Sequence, residues 1–279
     1  MAEAAKQVQA GQQPAGGPVV LEERNGSIAT IRMNRPERLN ALNIELGRGV
    51  VHALLRASQD NSVRAVVVTG AGRGFCAGGD LELLRDLRKR NASDELKGLL
   101  EAGKEMCLAI AAMTKPVIAA VNGPAAGGGM NLALAADIRI ASDKASFSES
   151  FAKVGLYPDF GGTYFLPRIV GPALAAELFY TAETLTAEDA LRLGIVNRVF
   201  PADKFEAETQ KIVEALAGAP TVAFRDVKRT IVGDDRKAME TKLDEEIRLQ
   251  IHCFQSEDCL EGLNAFFEKR KPNFKGHGF

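Results

Sequence analysis

Two glycine-rich segments are the parts of this sequence whose residue types and spacing could do chemistry. One covers residues 69–80 (TGAGRGFCAGGD), and the other is Gly127-Gly128-Gly129, which precedes a predicted helix at 130–136. Glycine lets a main-chain N–H group come close to a ligand oxygen, and the positive end of a helix stabilises negative charge there. The pattern predicts an anion-stabilising site, although a tight strand-to-helix turn would need the same glycines.

The spacing of the first segment disfavours a nucleotide-binding loop. The segment does not form a full GxGxxG sequence that opens directly into a helix, and it contains no GK[ST]. No ribose-binding acid ends a second strand about 20 residues further on. A dinucleotide or P-loop fold is therefore not expected.

The elements that must position these glycines alternate between strand and helix. The Asn25-Gly26 pair lies between two apolar segments, 19–23 and 28–33, and this arrangement predicts a β-hairpin. Buried strands are predicted at 65–69, 115–121, 138–141 and 195–200, and helices at 40–58, 81–90, 96–113, 171–180, 187–193 and 205–216. The sequence indicates an α/β fold in which each glycine segment follows a strand.

Composition and charge exclude several classes of protein. The 279 residues are 46% hydrophobic, enough for a large core in one compact domain. A formal net charge of −1 gives no basic field, so no nucleic-acid partner is expected, and the apolar runs are too short or interrupted to span a membrane. The four cysteines and three histidines show no CxxC or Cys/His ligand spacing, so we expect no metal site, no disulfide framework and a cytoplasmic location.

The chain divides into three predicted parts. Residues 1–17 are rich in Gln, Gly, Ala and Pro and lack the basic start and apolar core of a secretory signal, which predicts a disordered leader. Residues 18–204 would form the core, and residues 205–279 a C-terminal helical region. The apolar side chains of that region need a partner surface, such as another subunit. They are Phe254, Leu260, Leu263, Phe266 and Phe267.

Several motifs together resemble the crotonase (enoyl-CoA hydratase/isomerase) superfamily. They are FCAGGDL at 75–81, NGPAAGGGMNLALAADIRIA at 122–141, IRMNRPERLNAL at 31–42, GGTYFLPRIVG at 161–171, AEDALRLGIVNRVFP at 187–201 and FFEKRKPNF at 266–274. The resemblance covers nearly all of the chain after the leader. It implies a spiral of ββα repeats and a C-terminal helical region that assembles trimers or dimers of trimers. The implied substrate is an acyl-CoA thioester, with coenzyme A as its carrier and no separate cofactor.

The resemblance also implies an oxyanion hole made of two main-chain N–H groups. By position in the motifs, these groups belong to Gly79 and Gly128. Such donors stabilise the thioester oxygen as an enolate forms, and each is worth roughly 2.7–4 kcal/mol in the transition state. Hydration, isomerisation and thioester cleavage would all benefit.

Binding of the coenzyme A carrier is implied at two further places. Main-chain atoms around Cys76 and Ala77 would contact its adenine portion. Arg38, with Lys269 or Lys271 from the C-terminal region, would contact its phosphates, although exposed cationic side chains are more often simply solvated.

Asn131 and Phe151 stand where hydratases of the family carry two glutamates that position and split water. Neither an amide nor a phenyl ring exchanges a proton near neutral pH. The resemblance therefore disfavours the two-glutamate mechanism, and it leaves Asn131 and Phe151 as expected substrate-binding residues. Glu149 could be a displaced acid, but we interpret it as a surface or cap carboxylate.

Asp159, in the sequence LYPDFGG at 156–162, lies at a loop position where some isomerases of the family carry their working carboxylate. It could also be the N-cap of a helix at 161–169. Phe151, Tyr157 and Phe160 would surround it with an apolar pocket that raises its pKa and excludes water.

Within the superfamily, this sequence looks most like the branch that contains enoyl-CoA isomerases and ring-1,2-epoxyphenylacetyl-CoA isomerases. With both hydratase acids absent, we predict that Asp159 is a general acid/base that shifts a double bond of a 3-enoyl-CoA or a related ring substrate. Three alternatives stay open: a hydratase with nonstandard acids, a non-catalytic acyl-CoA-binding protein, and an enzyme in which Asp159 is a nucleophile that displaces a halide from an aromatic acyl-CoA.

Overall fold

The computed structural model describes residues 17–232 and 236–276, so the predicted leader lies outside the described residues except for Gly17. The strands of this part are β1 (Val20–Asn25), β2 (Ile28–Met33), β3 (Ala65–Gly70), β4 (Val117–Val121), β5 (Ala125–Ala126), β6 (Ile138–Ser142), β7 (Ser146–Ser148), β8 (Leu185–Thr186) and β9 (Arg198–Phe200). The helices are α1 (Ile44–Gln59), α2 (Leu81–Arg90), α3 (Ser93–Ala112), α4 (Gly128–Leu134), α5 (Gly162–Val170), α6 (Pro172–Thr181), α7 (Ala187–Arg192), α8 (Ala202–Gly218), α9 (Thr221–Val232), α10 (Arg236–Gln255) and α11 (Glu257–Glu268), with 3-10 turns at Pro36–Arg38 and Ser150–Val154. Over these two ranges, no helix has the length and apolar content needed to cross a membrane.

A six-stranded sheet in the order β1-β2-β3-β4-β6-β9 carries the fold. The predicted hairpin is confirmed, since β1 and β2 pair antiparallel around Gly26, and every later pair in this sheet is parallel. The last strand begins three residues later than predicted. The N–H of Val196 donates to Ala190 of α7 instead of to a neighbouring strand.

A second sheet, in the order β5-β7-β8, was not predicted. Its strands have only two or three residues each, too few to show a strand periodicity in the sequence. Parallel pairing of β5 with β7 places the main chain before α4 beside residues 146–148.

Side chains alternate between the two faces of the large sheet, as a strand requires. On one face, Val67 and Ile118 pack against Val213 of α8. On the other, Val66 and Val68 belong to the main core with residues of α1, α3 and α4. Helices therefore cover both faces, and α8 packs on the core although the sequence placed residues 205–216 in the C-terminal region.

The C-terminal helices α10 and α11 pack against the chain's own core. Helix α10 contacts α3 and α5, and α11 contacts α2 and the 3-10 turn at Ser150–Val154. Phe254 and Leu263, which were expected to need a partner surface, are buried with Leu84 and Leu96. Another subunit is not needed to cover them, whereas Phe266 stays largely exposed.

Candidate active site

The two glycine segments meet because they follow neighbouring parallel strands. Strands β3 and β4 pair, so the chain leaves both at the same edge of the sheet. There Ala126 N–H donates to the carbonyl of Cys76 at 3.0 Å. A methyl group on Gly129 would lie 2.2 Å from that same carbonyl oxygen, so only glycine permits this approach.

Gly79 and Gly128 line one cavity of about 440 Å³. Gly128 is the first residue of α4, where a main-chain N–H has no acceptor inside the helix. Gly127 before it has φ of +50°, a conformation that side chains disfavour. Within the described residues, no acceptor contacts the N–H of Gly79 or of Gly128. Two main-chain donors are thus available to an oxygen atom in this cavity.

The carboxylate of Asp159 lies in the same cavity, and the residue is only 8% exposed. Its Oδ2 accepts a hydrogen bond of 2.9 Å from Gln250 Nε2, while its Oδ1 is buried without a partner among the described residues. A methyl group on Gly128 would lie 3.3 Å from Oδ1, so this oxygen faces the start of α4. Burial raises the pKa of Asp159 to about 7, the hydrogen bond from Gln250 opposes this rise, and the charge of Glu246 adds to it.

The loop that carries Asp159 has an unfavourable main-chain conformation. Phe160 has φ of +53°, in the left-handed region, which costs a non-glycine residue roughly 1–2 kcal/mol. The buried carboxylate of Glu246 on α10 offsets this cost by accepting from the N–H groups of Gly161 at 2.8 Å and Thr163 at 2.9 Å. Helix α10 therefore holds the loop.

The N-cap interpretation of Asp159 is wrong. Helix α5 begins at Gly162 with Gly161 as its N-cap, and no side chain caps it. Only the main-chain carbonyl of Asp159 accepts from Gly162 N–H, at 3.1 Å. By contrast, the side chain of Asp80 accepts from two N–H groups of α2, as expected.

Four more of the predicted site residues line the cavity, namely Arg38, Ala77, Phe151 and Phe160. Phe151 and Phe160 supply apolar rings to the same cavity as Asp159. Arg38 forms a 2.9 Å ion pair with Glu82 at the exposed mouth. Neither Lys269 nor Lys271 lines the cavity, although both are exposed.

Three other residues that were predicted to bind the substrate do not line this cavity, namely Cys76, Asn131 and Tyr157. The main-chain N–H and C=O of Cys76 are both taken, by Pro124 and Ala126. Asn131 is fully buried behind the loop, and its Nδ2 donates to the main-chain carbonyl of Asp159 at 2.7 Å. The N–H of Tyr157 donates to Gln250, so Asn131 and Tyr157 support Asp159 instead of facing a ligand.

A family model for enoyl-CoA hydratase/isomerase matches residues 23–277 of this chain. The chain belongs to the enoyl-CoA hydratase/isomerase family. The family resemblance of the motifs and the crotonase fold expected from them are thereby confirmed.

Relatives within this family include both hydratases and isomerases. A probable enoyl-CoA hydratase of Rhodobacter capsulatus is 41% identical, with 91% of this chain and 96% of the relative covered. The 1,2-epoxyphenylacetyl-CoA isomerase of Escherichia coli is 37% identical, with 92% and 98% covered. The crystal structure of an enoyl-CoA hydratase from Mycobacterium avium subsp. paratuberculosis has a TM-score of 0.83 at 34% identity, with 92% and 98% covered. Membership alone therefore does not choose between hydration and isomerisation.

Sequence reasoning missed two buried polar residues of α10, Glu246 and Gln250, which contact the Asp159 loop. The residue pattern of α10 contains a signal for these two residues. The buried face of α10 carries Met239, Leu243 and Phe254 at helical spacing, and the same face carries this polar pair. Buried polar groups need partners, so such a pair predicts a contact with polar groups of another segment.

Glu149 is not a surface carboxylate, as the sequence suggested, because it is only 1% exposed. It does not line the cavity. Its Oε2 lies 3.4 Å from Asn131 Nδ2, and burial raises its pKa well above the usual range. Glu149 therefore belongs to the buried surroundings of the site, where burial disfavours its charged form.

Proposed function

We propose that this protein is an acyl-CoA isomerase that converts a 3-enoyl-CoA, or a related ring substrate, into its conjugated 2-enoyl isomer. One observation carries the proposal: a buried carboxylate with a pKa of about 7, that of Asp159, faces the helix start that holds the donor of Gly128. The N–H of Gly79 lines the same cavity. A base beside two oxyanion donors suits removal of a proton next to a thioester carbonyl.

The proposed reaction moves one proton and one double bond. Asp159 Oδ1 takes a proton from C2 of the 3-enoyl thioester, and the electrons of that C–H bond move into the conjugated system. Negative charge develops on the thioester oxygen, where the N–H groups of Gly79 and Gly128 donate hydrogen bonds. Asp159 then returns the proton to C4, and the double bond lies between C2 and C3. Proton transfer of this kind contributes about 10²–10⁴-fold.

The surroundings of Asp159 suit a base that takes and returns a proton. A pKa of about 7 keeps both protonation states accessible near neutral pH. Phe151 and Phe160 line the cavity with apolar rings, and Leu99 and Leu100 of α3 extend this lining. Such a lining supports isomerisation over addition of water.

The other carboxylates that line the cavity form ion pairs with arginines. Asp80 pairs with Arg35 at 2.9 Å and caps α2, and Glu82 pairs with Arg38 at 2.9 Å. A hydratase would need a second acid near Asp159. The positions used by hydratases carry Asn131 and Phe151, and neither exchanges a proton near neutral pH.

We propose the same assembly that the resemblance implies, a homotrimer or a dimer of trimers. Helix α9 presents three aliphatic side chains, those of Val222, Val227 and Ile231, that are each more than half exposed. Such an apolar surface is typical of a subunit interface. Light scattering on the purified protein measures the mass, and a monomer would contradict this assembly.

The test supplies trans-3-hexenoyl-CoA and crotonyl-CoA in parallel, and it follows conjugated-thioester absorbance and product mass. We expect the 3-enoyl substrate to gain conjugation without a change in mass. Asp159→Asn should lower turnover by about 10²–10⁴-fold with little change in binding. Asp203→Asn, an exposed carboxylate on α8, is the matched control and should leave turnover unchanged.

Four results would count against the proposal. Addition of one water to crotonyl-CoA, with no isomerisation, would make the protein a hydratase. Full activity of Asp159→Asn would remove Asp159 from the reaction. Binding of both thioesters without turnover would favour a non-catalytic acyl-CoA-binding protein, whereas release of halide from a halogenated aromatic acyl-CoA would favour Asp159 as a nucleophile.

A further inference from the structure

We propose that Gln250 is a positioning residue for Asp159, which holds Oδ2 and leaves Oδ1 as the single oxygen that carries the proton. This inference rests on the proposed function, in which Asp159 is the base. It assigns a role in the reaction to α10, a helix of the C-terminal region.

The orientation of the Gln250 amide follows from its two contacts. Gln250 is buried, and its Oε1 accepts the main-chain N–H of Tyr157 at 2.9 Å. A main-chain N–H can only donate, so the oxygen end of the amide must face Tyr157. The nitrogen end then faces Asp159, where Nε2 donates to Oδ2 at 2.9 Å. The amide therefore cannot turn around without losing both hydrogen bonds.

The two oxygens of Asp159 are made unequal by this contact. Oδ2 is occupied by a donor, which leaves no room for a proton on the side that faces Gln250. Oδ1 has no partner among the described residues and faces Gly128, whose N–H is one of the two proposed oxyanion donors. A proton taken from the substrate therefore arrives on the oxygen nearest the thioester, and it leaves from the same oxygen.

Gln250 also opposes the groups that disfavour the carboxylate form. The titratable groups around Asp159 are Glu246 from α10, Glu149 from the segment before the 3-10 turn, and Cys107 from α3. The charge of Glu246 raises the pKa of Asp159, and neither Glu149 nor Cys107 supplies positive charge. The hydrogen bond from Gln250 stabilises the charged form and lowers that pKa. Loss of this bond should therefore make the base harder to ionise.

Two variants replace the amide donor in different ways, and one control matches them. Gln250→Met has similar length and no N–H group. Gln250→Glu keeps an acceptor for Tyr157 N–H and so protects the fold, but it places a carboxyl group beside Oδ2. Gln255→Met is the same substitution at an exposed position of α10, where the one acceptor of the amide among the described residues is Ser93 Oγ.

We expect Gln250→Met to move the midpoint of the pH dependence of kcat/KM upward by about one pH unit. Gln250→Glu should move it further upward, because two adjacent carboxyl groups disfavour each other's ionisation. At a pH above the midpoints of the wild type and the variants, Asp159 is ionised in all of them. There kcat of the variants should still be about tenfold lower with KM little changed, because the Gln250 amide no longer fixes Oδ2. Gln255→Met should match the wild type in both quantities. Wild-type midpoints and kcat in Gln250→Met and Gln250→Glu would overturn the proposal.

A second readout does not depend on turnover. The free energy of unfolding of each protein is compared with that of its Asp159→Asn counterpart between pH 4 and pH 9, and the difference reports the folded-state pKa of Asp159. A wild-type protein without isomerase activity would defeat the proposed function, yet this comparison would still apply. If Gln250→Met leaves the pH dependence of that difference unchanged, Gln250 does not act on Asp159.

Discussion

Asn131 Nδ2 donates a hydrogen bond of 2.7 Å to the main-chain carbonyl of Asp159. The residue at the position of a hydratase glutamate thus supports the loop that carries the proposed base. Asn131 is fully buried, and a methyl group on Gly162 would lie 2.4 Å from its Nδ2, so the position has no free space.

Asn131→Leu should lower the free energy of unfolding by about 1–3 kcal/mol, because it leaves the Asp159 carbonyl without this donor. Turnover of the folded variant should also fall, because the loop that carries Asp159 loses this hydrogen bond. Asn131→Glu should destabilise the fold without producing hydration of crotonyl-CoA. Denaturant unfolding and the parallel substrate assay measure both effects, and a gain of hydratase activity would contradict this assignment.

The pH dependence of activity should follow the ionisation of Asp159. The free enzyme needs the carboxylate form to accept a proton, and burial raises the pKa of Asp159 to about 7. We therefore expect kcat/KM for the 3-enoyl substrate to rise with pH through about 7 and then level off. A midpoint near the ordinary aspartate value would contradict this description of the site.

Asp159 should also reduce stability as the pH rises. In the unfolded chain its carboxyl ionises near its ordinary pKa of 3.8, whereas in the folded chain burial raises that pKa to about 7. Between these values the folded state binds more protons, so the free energy of unfolding falls with pH, by about 1.4 kcal/mol per pH unit from this group. Asp159→Asn has no ionisable group at this position, so its free energy of unfolding does not contain this decrease with pH. Its stability advantage over the wild type should grow from pH 4 to pH 7 and then stay constant, and a constant difference throughout would contradict the burial effect.

Two glycines of α3 offer a test of the packing behind the loop. A methyl group on Gly103 would lie 2.6 Å from the buried ring of Phe160, whereas one on Gly98 would have no atom of the described residues within 4 Å. Gly103→Ala should therefore lower the free energy of unfolding by about 1–3 kcal/mol and reduce turnover, because Phe160 and the neighbouring Asp159 must shift. Gly98→Ala, the matched control, should gain about 0.5–1 kcal/mol with unchanged turnover. Equal stabilities of the two variants would show that the ring of Phe160 is free to move.

Glu246→Gln should have an effect opposite to that of the Gln250 variants on the pH midpoint. The amide keeps one acceptor, but its nitrogen end meets a main-chain donor of Gly161 or Thr163, so stability should fall by about 1–3 kcal/mol. Loss of the negative charge should lower the pKa of Asp159 and move the kcat/KM midpoint downward. An upward shift would mean that Glu246 acts on Asp159 through loop position instead of charge.

Features coded by neighbouring residues could be predicted from the sequence. The hairpin around Asn25-Gly26 and the cap at Asp80 each depend on a few adjacent residues. Gly79 and Gly128 stand out for a similar reason, because each lies in a continuous motif at the end of a buried strand. The place of Asp159 in such a motif predicts its role, and its aromatic neighbours in the sequence predict the burial that the structure shows.

Features made by distant residues could not be predicted in the same way. Gln250 lies 91 residues after Asp159, and the Glu246 contact to Gly161 spans 85 residues. Nothing in the local pattern says which loop a buried glutamine meets. The left-handed conformation of Phe160 could not be predicted either. It depends on the packing of its ring near α3 and on the hydrogen bonds of α10 to the residues that follow it.

The span between Asp159 and α10 has a consequence for protein synthesis. When the ribosome has added residue 200, the strands of the described residues, Gly79, Gly128 and Asp159 are already in the nascent chain, but Glu246 and Gln250, which contact the Asp159 loop, are not. The order of translation therefore leaves the Asp159 loop without these contacts until α10 has emerged and docked. A chimera in which α10 comes from a family member with other residues at positions 246 and 250 would keep the same base but shift its pH optimum.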